Sequence, residues 1–194
     1  MGTFEYVMVL VSIIIGLALT HVLSALGAAV HRLRGHGDPI RLESVYLFWV
    51  GYVLIWLVSF WWFEFRFQAL VMEWTYGLYL FLILYAICLF LIAVILIPSR
   101  MVGIRDSYEY FMEGRRWFFG ALLLGLGIDV ADSFLKGIEW GTRPVFVGFI
   151  GSHIILCMVG VFSERRRVQV VVAAVSLAMQ LAVMFWGLPL PGSG

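Results

Sequence analysis

Charged residues are scarce in this sequence. Asp, Glu, Lys and Arg make up 13% of its 194 residues, whereas hydrophobic residues make up 63% and the mean hydropathy is +1.01. A soluble globular protein has about 25% charged and 45–50% apolar residues. A water-soluble core of this size has no room for such an excess of apolar side chains. The composition therefore excludes a soluble domain and predicts an integral membrane protein of one domain.

Cysteine and the common motifs of soluble enzymes are also missing or nearly so. The two cysteines, Cys88 and Cys157, lie in apolar segments and form no CxxC pair. A disulfide framework is thereby excluded, and we expect both thiols to be small packing residues. Dinucleotide-binding, Walker, GxSxG and HExxH motifs are absent. We therefore favour a protein that is not an enzyme, and expect no cofactor, metal ion or nucleic-acid partner.

Six long apolar segments are present instead. Each reaches the roughly 20 residues that a helix needs to cross a bilayer. The predicted spans are residues 6–30, 44–63, 75–97, 117–136, 144–162 and 168–186. Only a helix satisfies its own backbone in lipid, and these runs are too long for barrel strands. The predicted fold is all-α, with one six-helix transmembrane domain over residues 1–188 and a tail at 189–194 that resembles a cloning remnant.

The loop before the fourth span has a pattern of its own. Tyr108, Phe111 and Met112 recur at helical spacing among charged residues. This pattern predicts a short helix lying in the membrane interface between the third and fourth spans. A gating or partner-docking segment is the alternative interpretation.

Basic residues are distributed unevenly between the two sides of the membrane. Ten of the 13 follow the first, third and fifth spans, namely Arg32, Arg34, Arg41, Arg100, Arg105, Arg115, Arg116, Arg165, Arg166 and Arg167. The other side holds Arg66, Lys136 and Arg143. By the positive-inside rule, the arginine-rich loops are cytoplasmic and both termini lie outside.

Two aspartates interrupt the fourth span in the stretch "GLGIDVADSFLKG". Asp129 and Asp132 share one helix face, and Lys136 follows Asp132 by four residues. We expect an ion pair between Asp132 and Lys136 near the outer interface. Asp129 lies deeper, where an unpaired charge costs several kcal/mol, so it needs either a proton or a partner.

Other ionisable residues fall at a similar predicted depth. The resulting outer-half cluster contains Glu64, Arg66, Asp129, Asp132, Lys136 and His153. Arg66, Lys136 and His153 are the candidate bases for Asp129. The cluster is interpreted either as a transport site or as a structural network of salt bridges.

Three further polar residues lie within spans. His21 and Thr20 belong to the first span and Gln180 to the sixth. His21 either donates a hydrogen bond to a neighbouring carbonyl or takes part in a proton relay. We expect the Gln180 amide to bond to a neighbouring helix.

An aromatic stripe follows the second span. Its residues are Trp49, Tyr52, Trp56, Phe60 and Phe63. Core or lipid contact is the default interpretation. The alternative is a stacking surface for a flat ligand such as a quinone, with Trp49, Tyr52 and Trp56 as the contact residues.

Small residues recur every four positions in the first span. They are Ser12, Gly16, Thr20, Ser24 and Ala28. Such a stripe allows close approach of another helix, including one from a second copy or a partner protein. A polar lining to a narrow pore is the alternative.

A resemblance to known proteins rests on three stretches. They are the opening "FEYVMVLVSIIIGLALTHVL", the "WW" that closes the second span and the "RRWFFG" that opens the fourth. The chain resembles small six-span proteins of the bacterial inner membrane whose function is unassigned. The resemblance implies a bacterial inner-membrane location and six spans, and it implies no catalytic residue.

The leading functional hypothesis is movement of a small solute or ion, either protons or a proton-coupled substrate, through the outer-half cluster. Asp129 is the predicted protonatable group, His153 and Glu64 are its relay partners, and Arg66 tunes the charge. A binding or sensory module for a lipophilic ligand is the first alternative. A structural subunit of a larger membrane complex is the second.

Overall fold

The computed structural model describes residues 2–36, 38–65, 67–70, 74–98 and 104–186. All regular secondary structure in these ranges is helical. The helices are α1 (Thr3–Leu33), α2 (Ser44–Glu64), α3 (Phe67–Leu70), α4 (Tyr76–Leu96), α5 (Ser107–Leu135), α6 (Ile138–Gly141), α7 (Pro144–Phe162) and α8 (Arg166–Trp186). Six of them, all but α3 and α6, are long and apolar enough to cross a membrane. The predicted all-α fold with six spans is confirmed.

The helix ends follow local chemistry. The Asp106 carboxylate accepts hydrogen bonds from the backbone N–H groups of Tyr108 and Glu109, at 2.7 and 3.4 Å, and so caps α5. Pro144 opens α7, where its missing N–H leaves no helical bond unmade. These signals are readable in the sequence, and the predicted fifth span has the same bounds as α7.

The predicted interfacial helix is not a separate element. Its residues form the first turns of α5, which continues without a break from Ser107 to Leu135. The Phe111 ring lies 5.8 Å from the Phe118 ring and 6.1 Å from the Phe119 ring. Because these rings pack in the same core, the start of α5 stays in the bundle.

The α2 helix is the most enclosed span. It contacts α1, α4, α5 and α8. The other spans follow one another around it, with α1 against α4, α4 against α5, α5 against α7, and α7 against α8. In the most apolar 18-residue stretch of α2, 56% of the residues are buried, compared with 22–39% in the equivalent stretches of the other five spans. The aromatic side chains of α2 therefore form the centre of the bundle.

The stripe of small residues on α1 is open in the single chain. Ser12 and Gly16 are half-buried, and Thr20, Ser24 and Ala28 are exposed. The buried face of α1 carries larger side chains, including Val11, Ile15 and Val22. A Cβ atom added at Gly16 would meet no atom within 4 Å, so no helix in the described ranges packs closely on the stripe at that position. Contact with a second copy or a partner helix stays a prediction.

The two ends of the bundle differ in charge. The segments that follow α1, α4 and α7 lie together and form what we call the arginine-rich end. There the Arg41 N–H donates to the Arg105 carbonyl at 2.8 Å, and the Glu43 carboxylate pairs with Arg41 at 2.7 Å and with Arg166. The opposite end carries α3, α6 and the ionisable residues Glu64, Asp132 and Lys136.

Candidate functional site

A cavity of about 110 Å³ lies between α2, α4, α5, α7 and α8, towards the end opposite the arginines. Seven aromatic side chains line it: Tyr52, Trp56, Phe60, Phe63, Tyr85, Phe146 and Phe149. Its polar lining consists of Glu64, Asp129, Asp132, Ser133, Lys136, Arg143 and Gln180. We call it the aromatic cavity. An apolar cavity of about 150 Å³ can hold benzene, so this one has room for a ligand of a few non-hydrogen atoms.

Lys136 joins two carboxylates on the cavity wall. Its Nζ lies 2.9 Å from Glu64 Oε1 and also contacts Asp132 Oδ2. The predicted ion pair with Asp132 is therefore present. The three side chains are buried, with 6% of Lys136, 2% of Glu64 and 4% of Asp132 exposed. The ammonium group also lies 4.9 Å from the centre of the Phe67 ring.

Asp129 is held differently. Its Oδ1 accepts a hydrogen bond of 2.9 Å from the Tyr85 hydroxyl group on α4. Asp129 is half-buried, lines the cavity, and has no ion-pair partner among the described residues. Of its predicted bases, Lys136 is used by the other two carboxylates, and Arg66 lies outside the described residues.

Tyr85 is a site residue that sequence reasoning missed, as are Ser133 and Arg143 of the polar lining. It lies in the third predicted span, within "LILYAICLF", which carries no charged residue. The signal that could have found it is the phenol itself, because a buried tyrosine hydroxyl usually has a hydrogen-bond partner. The sequence gives no direct indication that this partner is Asp129.

His153 is not brought to the carboxylates. Its side chain is fully buried but does not line the cavity. The ring centre lies 4.1 Å from that of Phe149 and 5.6 Å from that of Tyr52, and both of those rings do line the cavity. His153 Nδ1 donates to the Phe149 carbonyl at 2.9 Å. No hydrogen bond joins His153 to Asp129 among the described residues, and a relay between the two stays a prediction.

The aromatic stripe of α2 divides between cavity and core. Tyr52 and Trp56 line the cavity, whereas Trp49 does not. Trp49 is fully buried, with its ring centre 5.1 Å from Phe118 and 5.4 Å from Phe119. Trp49 thus has no open face for a ligand. These three rings fill the bundle between the cavity and the arginine-rich end.

No protein-family model, curated protein or solved structure matches this chain. The resemblance of the first span to small bacterial membrane proteins stays a prediction. The chemistry of the aromatic cavity is therefore the basis for any functional proposal.

The remaining predicted polar residues fall into two groups. Gln180 lines the aromatic cavity, 6% exposed. His21 and Thr20 do not line it. His21 Nε2 donates to the Ile97 carbonyl at 2.9 Å, and that carbonyl lies just past the end of α4, where no helical N–H remains to bond it. The Thr20 hydroxyl bonds to the Gly16 carbonyl of its own helix at 2.8 Å.

The described residues offer no assembled metal centre. No group of three or more His, Cys, Asp or Glu side chains in the described ranges is placed to hold a metal ion. Cys88 and Cys157 are both buried as free thiols. Cys157 shares a helix face with His153, but a pair of ligands is fewer than a structural metal site requires.

Proposed function

We propose that this chain is a multi-pass protein of a bacterial inner membrane that moves a small solute through the aromatic cavity, coupled to a proton on Asp129. The main support is the environment of Asp129. Its carboxyl group lines a cavity, bonds to one neutral donor, Tyr85, and has no ion-pair partner among the described residues. Glu64 and Asp132, in contrast, share Lys136.

Such a carboxyl group suits reversible proton binding. In a low-dielectric cavity an isolated carboxylate is costly, so it is stable when it carries a proton or when a positive solute lies beside it. The Tyr85 hydroxyl group orients Asp129 by bonding to Oδ1, which leaves Oδ2 for the proton or the solute. Exchange between these two states would couple solute movement to proton movement.

We also propose that the arginine-rich end is cytoplasmic. Ten of the 13 basic residues belong to that side, and the positive-inside rule then sets the orientation. The aromatic cavity lies in the outer half of the membrane in this orientation. The packed rings of Trp49, Phe118 and Phe119 lie between the cavity and the cytoplasm, so release on that side requires them to move apart.

Proton flux into liposomes that contain the purified protein tests the proposal. A potassium gradient with valinomycin sets a negative interior, and a trapped pH-sensitive dye reports proton entry. With no solute present, the site returns unloaded after it releases its proton, so we expect entry above that of empty liposomes for the wild type, no excess for Asp129→Asn, and an intermediate, several-fold slower rate for Tyr85→Phe. The matched control is Glu139→Gln, which removes an exposed carboxylate at the same end of the bundle. Equal rates for the wild type and Asp129→Asn would contradict the proposal.

A second candidate function is a binding or sensory module for a lipophilic ligand. The aromatic lining favours it, because seven rings surround a space that takes a small flat molecule. Native mass spectrometry of the protein released from mild detergent separates the two functions. A defined additional mass that matches a small flat ligand, together with no proton flux, would support the binding module over transport.

A further inference from the structure

The aromatic cavity combines an accessible carboxyl group with rings that can attract a positive charge. Asp129 lines it together with Trp56, Phe60, Phe146 and Phe149. The face of an aromatic ring attracts a cation within about 6 Å of its centre, and tryptophan does so best. A carboxylate adds a full charge at one point of the wall. This combination is suited to a molecule that is both positive and apolar.

We propose that the solute of this cavity is a small organic cation, a substituted ammonium of about five non-hydrogen atoms or fewer. Its positive nitrogen lies at Asp129 and its alkyl groups contact the rings of Trp56 and Phe60. The inference rests on the proposed function, because it names the solute of the same site.

The charges of the described lining favour a cation over an anion. The acidic side chains are Glu64, Asp129 and Asp132, and the basic ones are Lys136 and Arg143. When all five are ionised, the described lining has a net charge of −1. A monovalent cation, or a proton on one carboxylate, makes it neutral. An anion would instead raise the net negative charge of a cavity in which the Glu64 and Asp132 carboxylates are already buried.

The same lining argues against an inorganic cation. A sodium or calcium ion gives up its hydration shell only to several oxygen ligands. No group of three or more carboxylate, histidine or cysteine ligands is placed to hold an ion among the described residues. Alkyl ammonium groups are weakly hydrated and need few oxygens. Aromatic rings can therefore replace their water at little cost.

Proton coupling follows from competition for one group. A proton on Asp129 removes the negative charge that holds the cation. A cation at Asp129 stabilises the carboxylate, so the proton is released to water as the cation enters. The two positive species thus exclude each other at Asp129, which is the relation that an exchange mechanism needs.

Equilibrium dialysis of the full-length protein in lipid nanodiscs tests the inference. The probe is radiolabelled tetramethylammonium chloride, and tert-butanol is the uncharged probe of similar size. Potassium chloride keeps the ionic strength constant. We expect saturable binding of tetramethylammonium with one site per chain, and no saturable binding of tert-butanol. Asp129→Asn should weaken binding at least about tenfold, and Asp129→Glu should restore most of it.

A pair of tryptophan variants provides a control for folding effects. Trp56→Phe keeps an aromatic ring on the cavity wall but attracts cations less well, so binding should weaken about threefold. Trp62→Phe makes the same change on the same helix at an exposed residue that does not line the cavity, and binding should not change. Should Asp129→Asn fail to fold, this pair still decides whether the cation lies at the cavity wall.

The outcomes separate this inference from the proposed function. If wild-type protein binds tetramethylammonium no better than tert-butanol, while proton flux still depends on Asp129, the solute is not an organic cation and the proton function stands. If the probe binds with the expected variant pattern but no proton flux occurs, the ligand class stands and transport is wrong. Equal binding by wild type, Asp129→Asn and Trp56→Phe would place the probe outside the cavity and overturn the inference.

Discussion

Removal of the Lys136 charge is the sharpest test of how this bundle is held together. Lys136→Met keeps an unbranched side chain of similar length and removes the ammonium group. In the wild type that group lies 2.9 Å from Glu64 Oε1 and also contacts Asp132. The variant leaves two carboxylates side by side in the interior with no cation between them.

The expected loss of stability is large because these groups are buried. Only 2% of the Glu64 side chain and 4% of the Asp132 side chain are exposed, so water replaces very little of the lost interaction. Removal of one partner from a buried ion pair destabilises a protein by about 3–5 kcal/mol. Loss of an exposed pair costs only about 0–1 kcal/mol. We therefore expect Lys136→Met to lower the free energy of unfolding by about 3–5 kcal/mol.

Unfolding in mixed micelles with increasing dodecyl sulfate, followed by far-ultraviolet circular dichroism, measures this loss. The matched control is Glu164→Gln, which removes the exposed partner of Arg115 at the arginine-rich end. The Glu164 side chain is 77% exposed and its pair with Arg115 measures 2.8 Å. We expect the control to change stability by less than about 1 kcal/mol.

A combined variant separates charge from packing. Lys136→Met together with Glu64→Gln and Asp132→Asn removes all three charges of this buried group, and it should regain most of the stability lost by Lys136→Met. A loss below about 1 kcal/mol for Lys136→Met would refute the reasoning, because it would mean that water reaches the carboxylates. A combined variant as unstable as Lys136→Met would attribute the loss to the contact with Phe67 instead.

Two further predictions concern packing and orientation. Gly160→Ala should destabilise the bundle by about 1–3 kcal/mol, because a Cβ atom there would lie 2.3 Å from Phe119 Cζ. The control is Gly151→Ala on the same helix, where a Cβ atom meets no atom within 4 Å and stability should not change. Thermal unfolding of the two variants side by side checks this, and equal melting temperatures would mean that the Phe119 ring can move aside. In a background without the native cysteines, a membrane-impermeant maleimide should label Thr142→Cys but not His36→Cys in intact cells, since His36 belongs to the arginine-rich end. The reverse labelling pattern would invert the proposed orientation.

Asp132 and Asp129 show which contacts spacing within one helix predicts and which it does not. Asp132 and Lys136 are four residues apart on one helix, and helix geometry alone brings them together. Asp129 accepts a hydrogen bond from Tyr85, which is 44 residues away in the sequence and lies on another span. Glu64 reaches Lys136 across 72 residues. Only the packing of α2, α4 and α5 against one another creates these two contacts.

The depth of a residue in the membrane is a second property that the sequence predicts, but depth alone does not predict contacts. His153 was expected near Asp129 because both lie in the outer half of their predicted spans. In the structure the His153 ring packs against the rings of Phe149 and Tyr52 and does not line the cavity. Position along a span fixes depth through the rise of about 1.5 Å per residue. It does not fix the direction in which a side chain points relative to the neighbouring helices.

The sequence by itself determined the number of spans, the approximate ends of all but the fourth, the helical class and the pair of Asp132 with Lys136. Each of these follows from the apolar length of a segment, from its need to satisfy its own backbone in lipid, or from spacing within one helix. Only the tertiary structure decided that α2 lies at the centre of the bundle and that Tyr85 donates a hydrogen bond to Asp129. It also decided that His153 does not line the cavity and that the small-residue stripe of α1 is open. The physical reason is that spans which are apolar all round carry little amphipathic pattern. The choice of neighbouring helices is then left to side-chain packing across the whole bundle.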